Sequence, residues 1–274
     1  MTLNTMFFSP TGTTRKVVRA FAEGFGGAHA AHDLTLPSGR EKASASDDAD
    51  LYVFAGPVYG GRSFKLLTKS IAGLRGNGRP AVCLALYGGR HYDMALADLY
   101  EAASSAGFRV AACAAFVGEH SFSPAIQTGR PDEDDLRLAR DFGRQMRKRL
   151  EDAGSTGKAL PAMTPEEIPQ RPVDLAAIGM HRERLGRMAP NRPFPADNCF
   201  RCGTCAAVCP LGLIDKNDPA RIEERCIKCG ACVKACPVGA MRFPQEDFQE
   251  VARHCEETFG REARCPQIWF AAPR

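Results

Sequence analysis

Eight of the twelve cysteines fall between positions 199 and 236, and their spacing is that of a ligand set. Cys199, Cys202, Cys205 and Cys209, followed by Pro210, read C-x2-C-x2-C-x3-C-P, and Cys226, Cys229, Cys232 and Cys236, followed by Pro237, repeat it. Each cysteine is displaced by 27 positions, Gly203 matches Gly230 and Gly212 matches Gly239, so the segment is an internal duplication. Three thiolates this close in a looping backbone can wrap three iron corners of one cubane, while the fourth, turned away by the proline, reaches the other. The expected pairing is Cys199, Cys202, Cys205 and Cys236 for one [4Fe–4S] cluster, and Cys226, Cys229, Cys232 and Cys209 for the second. Zinc sites pair C-x2-C units at wider separation and need no third cysteine two residues on. Disulfides need an oxidising compartment that nothing else in the chain suggests.

A second candidate site lies near the N-terminus. Ser9-Pro10-Thr11-Gly12-Thr13-Thr14 follows an apolar run and opens into a helical pattern. Unpaired N–H groups at a helix start, with Ser and Thr hydroxyls beside them, suit a phosphate, and Gly12 lets the backbone approach it. The sequence G-x4-G-K-[ST] is absent, so this is not a P-loop. Two further segments combine glycine with aromatics: Gly56-Pro57-Val58-Tyr59-Gly60-Gly61-Arg62 and Tyr87-Gly88-Gly89-Arg90-His91-Tyr92. Aromatics pack the faces of a flat ring and glycines let backbone groups reach its edge.

These segments need a scaffold. Over residues 1–152, strand-like runs at 3–8, 28–34, 51–55, 81–87 and 109–117 alternate with helical patterns at 13–25, 64–72, 93–106 and 132–150. Such alternation implies a parallel sheet covered on both faces, here a doubly wound α/β fold of five strands. In strand order 2-1-3-4-5, the ends of strands 1, 3 and 4 meet at one crevice, where the two glycine-aromatic segments are expected as loops. The last helix begins with Pro131 and an acidic run, and Arg144, Arg147, Lys148 and Arg149 are expected at its other end. Residues 153–194 read as a proline-rich linker with a short helix at 175–188. The small α+β cysteine module occupies 195–244, and 245–274 reads as a helical extension with an amphipathic helix at 245–259.

The cysteine module resembles the bacterial two-[4Fe–4S] ferredoxin family, with both motifs complete. Residues 1–152 resemble the flavodoxin family, whose S/T-x-T-G-x-T loop binds the FMN phosphate. The resemblance implies that Ser9, Thr11, Gly12, Thr13 and Thr14 hold the phosphate. It sets Pro57, Val58, Tyr59, Gly60 and Gly61, with Tyr87, Gly88, Gly89 and Tyr92, around the isoalloxazine. The family's Trp is absent from the Tyr59 segment; the only Trp is Trp269. The whole chain is similar to flavodoxin–ferredoxin fusion proteins. That likeness implies an electron-transfer protein passing electrons between two [4Fe–4S] clusters and FMN, and between protein redox partners. Two other readings are a flavin-dependent oxidoreductase reducing a quinone or nitro compound, and a ferredoxin whose first domain is a flavin-free docking unit. A carrier is expected ahead of a substrate-turnover enzyme, and a homodimer is among the arrangements the sequence allows.

Composition narrows the partners. The chain has 274 residues, 44% hydrophobic and 25% charged, which excludes disorder and repeats of collagen type. Its longest stretch without a charged side chain, 1–14, is too short and polar to span a bilayer. No secretory signal is read at the N-terminus, so a cytoplasmic location is expected. The net charge of +4 is spread along the chain without a basic block, which argues against nucleic acid. Thiolates in two clusters offset about four positive charges. Arg201, Lys228 and Lys234, within the ligand loops, are expected to raise cluster potentials. Cys83 and Cys113 read as buried core thiols. Cys255 and Cys265 are left without a site, and His91 and His120 border the crevice as expected surface residues.

Overall fold

The computed structural model describes residues 1–42, 49–174, 176 and 182–273. Its first 156 residues form β1 (Thr2–Phe7), α1 (Thr13–Phe25), β2 (Ala28–Asp33), α2 (Pro37–Lys42), β3 (Leu51–Tyr59), β4 (Arg62–Ser63), α3 (Lys65–Ala72), β5 (Pro80–Tyr87), α4 (Ala95–Ser105), β6 (Arg109–Val117) and α5 (Glu133–Thr156). Strands β2, β1, β3, β5 and β6 pair in that order, all parallel. This is the flavodoxin-like doubly wound order expected from the sequence. Alternation sorts the side chains of β3: Tyr52 and Phe54 enter one buried layer, Val53 and Ala55 the other. On the second layer α1 and α5 touch through Gly24 and Gly143; a methyl on Gly143 would stand 2.1 Å from the Phe21 carbonyl oxygen.

The sheet has two strands more than the five expected. Segment 56–62 is not a loop. β3 runs on through Pro57 to Tyr59 and turns back at Gly60-Gly61 (φ +56° and +78°), so that Val58 pairs with Ser63 and Tyr59 with Arg62. Two adjacent left-handed residues match the twist of a tight hairpin, which is why both are glycine.

The second addition corrects the purely helical reading of the C-terminal extension. After helix α9 (Glu246–Phe259) comes β9 (Gln267–Phe270), antiparallel to β6 with Cys113 opposite Trp269. Ile268 and Phe270 join the layer under α5, while Trp269 joins the opposite one, so a four-residue strand supplies both faces. Helix α5 also outruns its expected end. Asp132 caps it by accepting the Asp135 N–H at 3.0 Å, and Gly157 (φ +65°) ends it. The basic residues at 144–149 therefore lie inside the helix, where Arg147 pairs with Glu151 one turn on, rather than in its last turn.

In the linker, Met163 and Ile168 are buried in the first layer, and Met163 N–H donates to Val110 O at 2.7 Å. Helix α6 (Arg182–Met188) is the described part of the helix expected over 175–188; residues 175 and 177–181 lie outside the described residues. The cysteine module contains β7 (Phe194–Pro195), α7 (Thr204–Ala207), α8 (Ala231–Ala235) and β8 (Met241–Arg242), with β7 pairing β8. Helix α9 (Glu246–Phe259) follows it. Among the described residues no helix is long and apolar enough to cross a membrane.

Candidate redox site

The duplication seen in the sequence reappears in the backbone. Arg201 and Lys228 share a left-handed φ (+57° and +55°), as do Gly203 and Gly230 (+76° and +75°) and Gly212 and Gly239 (+67° and +62°). Each glycine at the second position starts a short helix, α7 or α8, whose first turn carries Cys205 or Cys232. The fourth cysteines match as well: Leu213 N–H points to Cys209 Sγ at 3.4 Å and Ala240 N–H to Cys236 Sγ at 3.2 Å.

Around this frame the eight thiols surround two cavities. Cys199, Cys202, Cys205 and Cys236 line one. Cys209, Cys226, Cys229 and Cys232 line the other. Four thiols about a space suit a multi-iron core, and backbone N–H groups aimed at sulfur stabilise thiolate charge. Burial pushes the Cys229 thiol up to about 12 and raises that of Cys232, so protons must leave when metal binds there. The exposed Cys202, in contrast, has its pKa lowered by the Thr204 hydroxyl at 3.2 Å.

The N-terminal site forms where β1, β3 and β5 end. Arg15 N–H donates to Ser9 Oγ at 3.0 Å, and Ser9 N–H donates to Thr35 Oγ1 at 2.8 Å, which fixes the loop. Gly12 (φ +85°) has open space where a side chain would stand. Thr14 Oγ1 is buried, with no hydrogen-bond partner among the described residues. A buried hydroxyl without a partner beside an open cradle at a helix start fits a phosphate group, with Thr11, Thr13 and the α1 N-terminus around it.

From there a crevice runs along the strand ends. Its end beside the loop at 9–14, about 60 Å³, is lined by Thr11, Thr13, Pro57, Tyr59, Gly118 and Cys229 among others. It continues through Val58, Tyr59, Tyr87, Gly88, His120 and Ser121 into a cavity of about 210 Å³ that also reaches Gly60, Gly61, Arg90 and His91. The far wall consists of Ile227 and Lys228 from the cysteine module and Val251, Cys255 and Phe259 from α9. A partly apolar slot with few polar groups suits a flat ring.

Not every expected residue reaches this slot. Tyr92 is buried in the core, stacked on His91 at 4.2 Å between centroids and edge-on to Trp269. Gly89 lends its carbonyl to Arg264 Nε at 2.9 Å. Tyr87, 6% exposed, belongs to the core and also lines the cavity. His91 and His120 are half-buried instead of surface residues. His120 Nδ1 accepts from Phe122 N–H at 3.1 Å and His91 Nδ1 from Asp93 N–H at 2.8 Å, so each neutral ring carries its proton on Nε2. Burial, with Lys234 and Arg90 adding to it, lowers the His120 pKa to about 4. Sequence reasoning missed the wall from α9, although the spacing of Phe248, Val251, Cys255 and Phe259 already marked a helix face in need of a partner.

Contacts from several positions hold the module against the α/β layer. Lys234 Nζ donates to Glu119 Oε1 at 2.5 Å. Ile227 packs on the first buried layer. Arg40 Nη2 donates to Pro210 O at 2.8 Å.

Comparison with known proteins follows this division. Two models, each described as a 4Fe-4S binding domain, match residues 196–212 and 219–242. No curated protein matches the chain. Among solved structures, a flavodoxin from the domain Archaea is 12% identical, covering 55% of this chain and 99% of its own, at a TM-score of 0.43. The Streptococcus pneumonia TIGR4 flavodoxin is 20% identical over 53% of this chain and 97% of its own, at 0.41. Rubredoxin oxygen:oxidoreductase from Desulfovibrio gigas is 15% identical over 55% of this chain and 36% of its own, at 0.42. By its own strand order and these family models, the chain joins a flavodoxin-like α/β layer to a ferredoxin-type 4Fe–4S module. Its function is redox or electron transfer.

Proposed function

We propose that the chain is an electron carrier holding two [4Fe–4S] clusters on its eight module cysteines and FMN in the crevice, and that it exchanges electrons with protein partners. One observation carries this reading: Cys229 lines the end of the crevice beside the loop at 9–14, together with Thr11 and Tyr59. One ligand set thus stands at the wall of the nucleotide site. When bound, the clusters supply one-electron steps and the flavin one- or two-electron steps.

The chain's own groups hold and shield. Ser9, Thr11, Gly12, Thr13 and Thr14 receive the phosphate, Tyr59 and Gly88 flank the ring, and Ile227, Val251 and Phe259 keep water from it. The far wall favours a carrier over an oxidoreductase acting on a quinone or nitro compound, because side chains already stand where a small acceptor would approach. The test is anaerobic purification with iron, sulfide and flavin counted per chain, followed by EPR during reductive titration. Eight irons and one FMN are expected. Eight irons without flavin would instead support the docking-unit alternative, and a single cluster or zinc would overturn the proposal.

A further inference from the structure

The module's duplication gives it two equivalent faces, only one of which is used within the chain. Ile227-Lys228-Cys229-Gly230 faces the crevice: Ile227 packs on the α/β layer, Cys229 is buried, and a methyl on Gly230 would meet Ser121 O at 2.7 Å. The residues 27 positions earlier, Phe200-Arg201-Cys202-Gly203, repeat the left-handed φ at their second and fourth positions, and Phe200, Arg201 and Cys202 are exposed. Phe200 is 61% exposed, Cys202 is exposed, and among the described residues Lys216 alone, at 3.7 Å or more, comes near a methyl built on Gly203. Val238, 42% exposed, borders the same cavity as Phe200, and Asn198 Nδ2 donates to its carbonyl at 3.1 Å. A large aromatic left in water at the mouth of a ligand set is the kind of anchor a partner buries.

We propose that the Phe200 face docks a separate one-electron carrier protein, which delivers electrons at the Cys199, Cys202, Cys205 and Cys236 set. The inference rests on the carrier reading above. What the inner face meets describes the partner: an apolar surface that takes up the side chain, as the α/β layer takes up Ile227, with main chain close enough to touch the glycine, as Ser121 O stands to Gly230. One electron crosses; the partner is oxidised by one and this chain reduced by one, with no bond made or broken and no proton moved.

The experiment uses the metal-loaded full chain, its variants Phe200→Asp and Val238→Asp, and a fully reduced flavodoxin as probe. Stopped-flow absorbance reads exchange with the probe, dithionite serves as a small reductant, and EPR reads the clusters. Both variants should slow exchange with the probe about ten-fold or more, the loss expected on removing an apolar anchor. Reduction by dithionite and the EPR spectrum should stay as in the parent. Equal rates for variants and parent, fast or slow, overturn the proposal, and so does an altered EPR spectrum that accounts for the loss. Sedimentation separates the remaining occupant: a parent dimer that Phe200→Asp dissolves makes the occupant a second copy and overturns the assignment. Should the chain bind no flavin while the Phe200 effect persists, the crevice reading fails and the docking face stands.

Discussion

Gly230 and Ser121 lie in backbone contact, so that a single methyl group on the glycine would stand 2.7 Å from the serine carbonyl oxygen. Gly203 has the same φ without such a neighbour. The pair forms an internal control. Gly203→Ala should show only the left-handed penalty, about 1–2 kcal/mol. Gly230→Ala should add the clash, about 1–3 kcal/mol more, and free the module from the crevice. Thermal unfolding of the loaded variants measures the difference; equal losses would mean that the contact contributes nothing.

Thr14 makes opposite demands of the empty and filled cradle. Its buried hydroxyl lacks a partner until an anion arrives. Thr14→Val should therefore stabilise the flavin-free chain by about 1 kcal/mol and weaken FMN binding roughly ten-fold. Differential scanning calorimetry and fluorescence titration read the two effects. A variant that loses stability without losing affinity would assign the hydroxyl to the core.

His120 gives the fold a pH dependence. Burial keeps its ring neutral, with a pKa lowered to about 4 from the ordinary 6.5. The unfolded chain takes up this proton first, so the contribution is complete above pH 6.5 and lost progressively as pH falls toward 4. Integrated over that window, it amounts to about 3 kcal/mol. Urea midpoints of the parent and His120→Asn should differ in slope between pH 6.5 and 4, the variant being flatter.

Two of the three ligand-loop cations, Lys228 and Arg201, are not equivalent. Lys228 is half-buried and its Nζ donates to Ala189 O at 3.2 Å and Cys226 O at 3.4 Å, whereas Arg201 is exposed. Water and salt screen an exposed charge far more than a sheltered one. Lys228→Gln should lower the potential of the inner cluster, and Arg201→Gln should leave the outer one almost unchanged. Protein-film voltammetry of the loaded chains decides between them, and equal shifts would contradict the ranking.

What was legible in the sequence follows from the range of the forces involved. The parallel strands announced themselves because each must be apolar along its length, and the ligand set because its spacing is local. In the sequence Gly60-Gly61 looks like a loop because glycine breaks a pattern whether it ends a strand or turns a hairpin. The end of α5 was misplaced because basic residues favour a helix end only weakly, while Arg147 and Glu151 pair equally well inside one. The fate of the C-terminal segment was hidden for a different reason. Gln267–Phe270 is four residues long, and its partner strand lies some 155 positions earlier, a distance at which periodicity carries no information. Cys255 likewise gained a place only when α9 was set against the crevice.

That last strand changes what kind of fusion this is. The linker is bonded to β6 where Met163 N–H donates to Val110 O, and the far end of β9 where Ala271 N–H donates to Ala111 O at 2.9 Å, so both connections are pinned to adjacent residues of one strand. The cysteine module is thus an insertion held by two tethers, not a tail hung from one. Its local concentration at the crevice is set by both, and a single nick in either connection leaves it attached. Truncation before β9 would remove a piece of the first domain along with the end of the second.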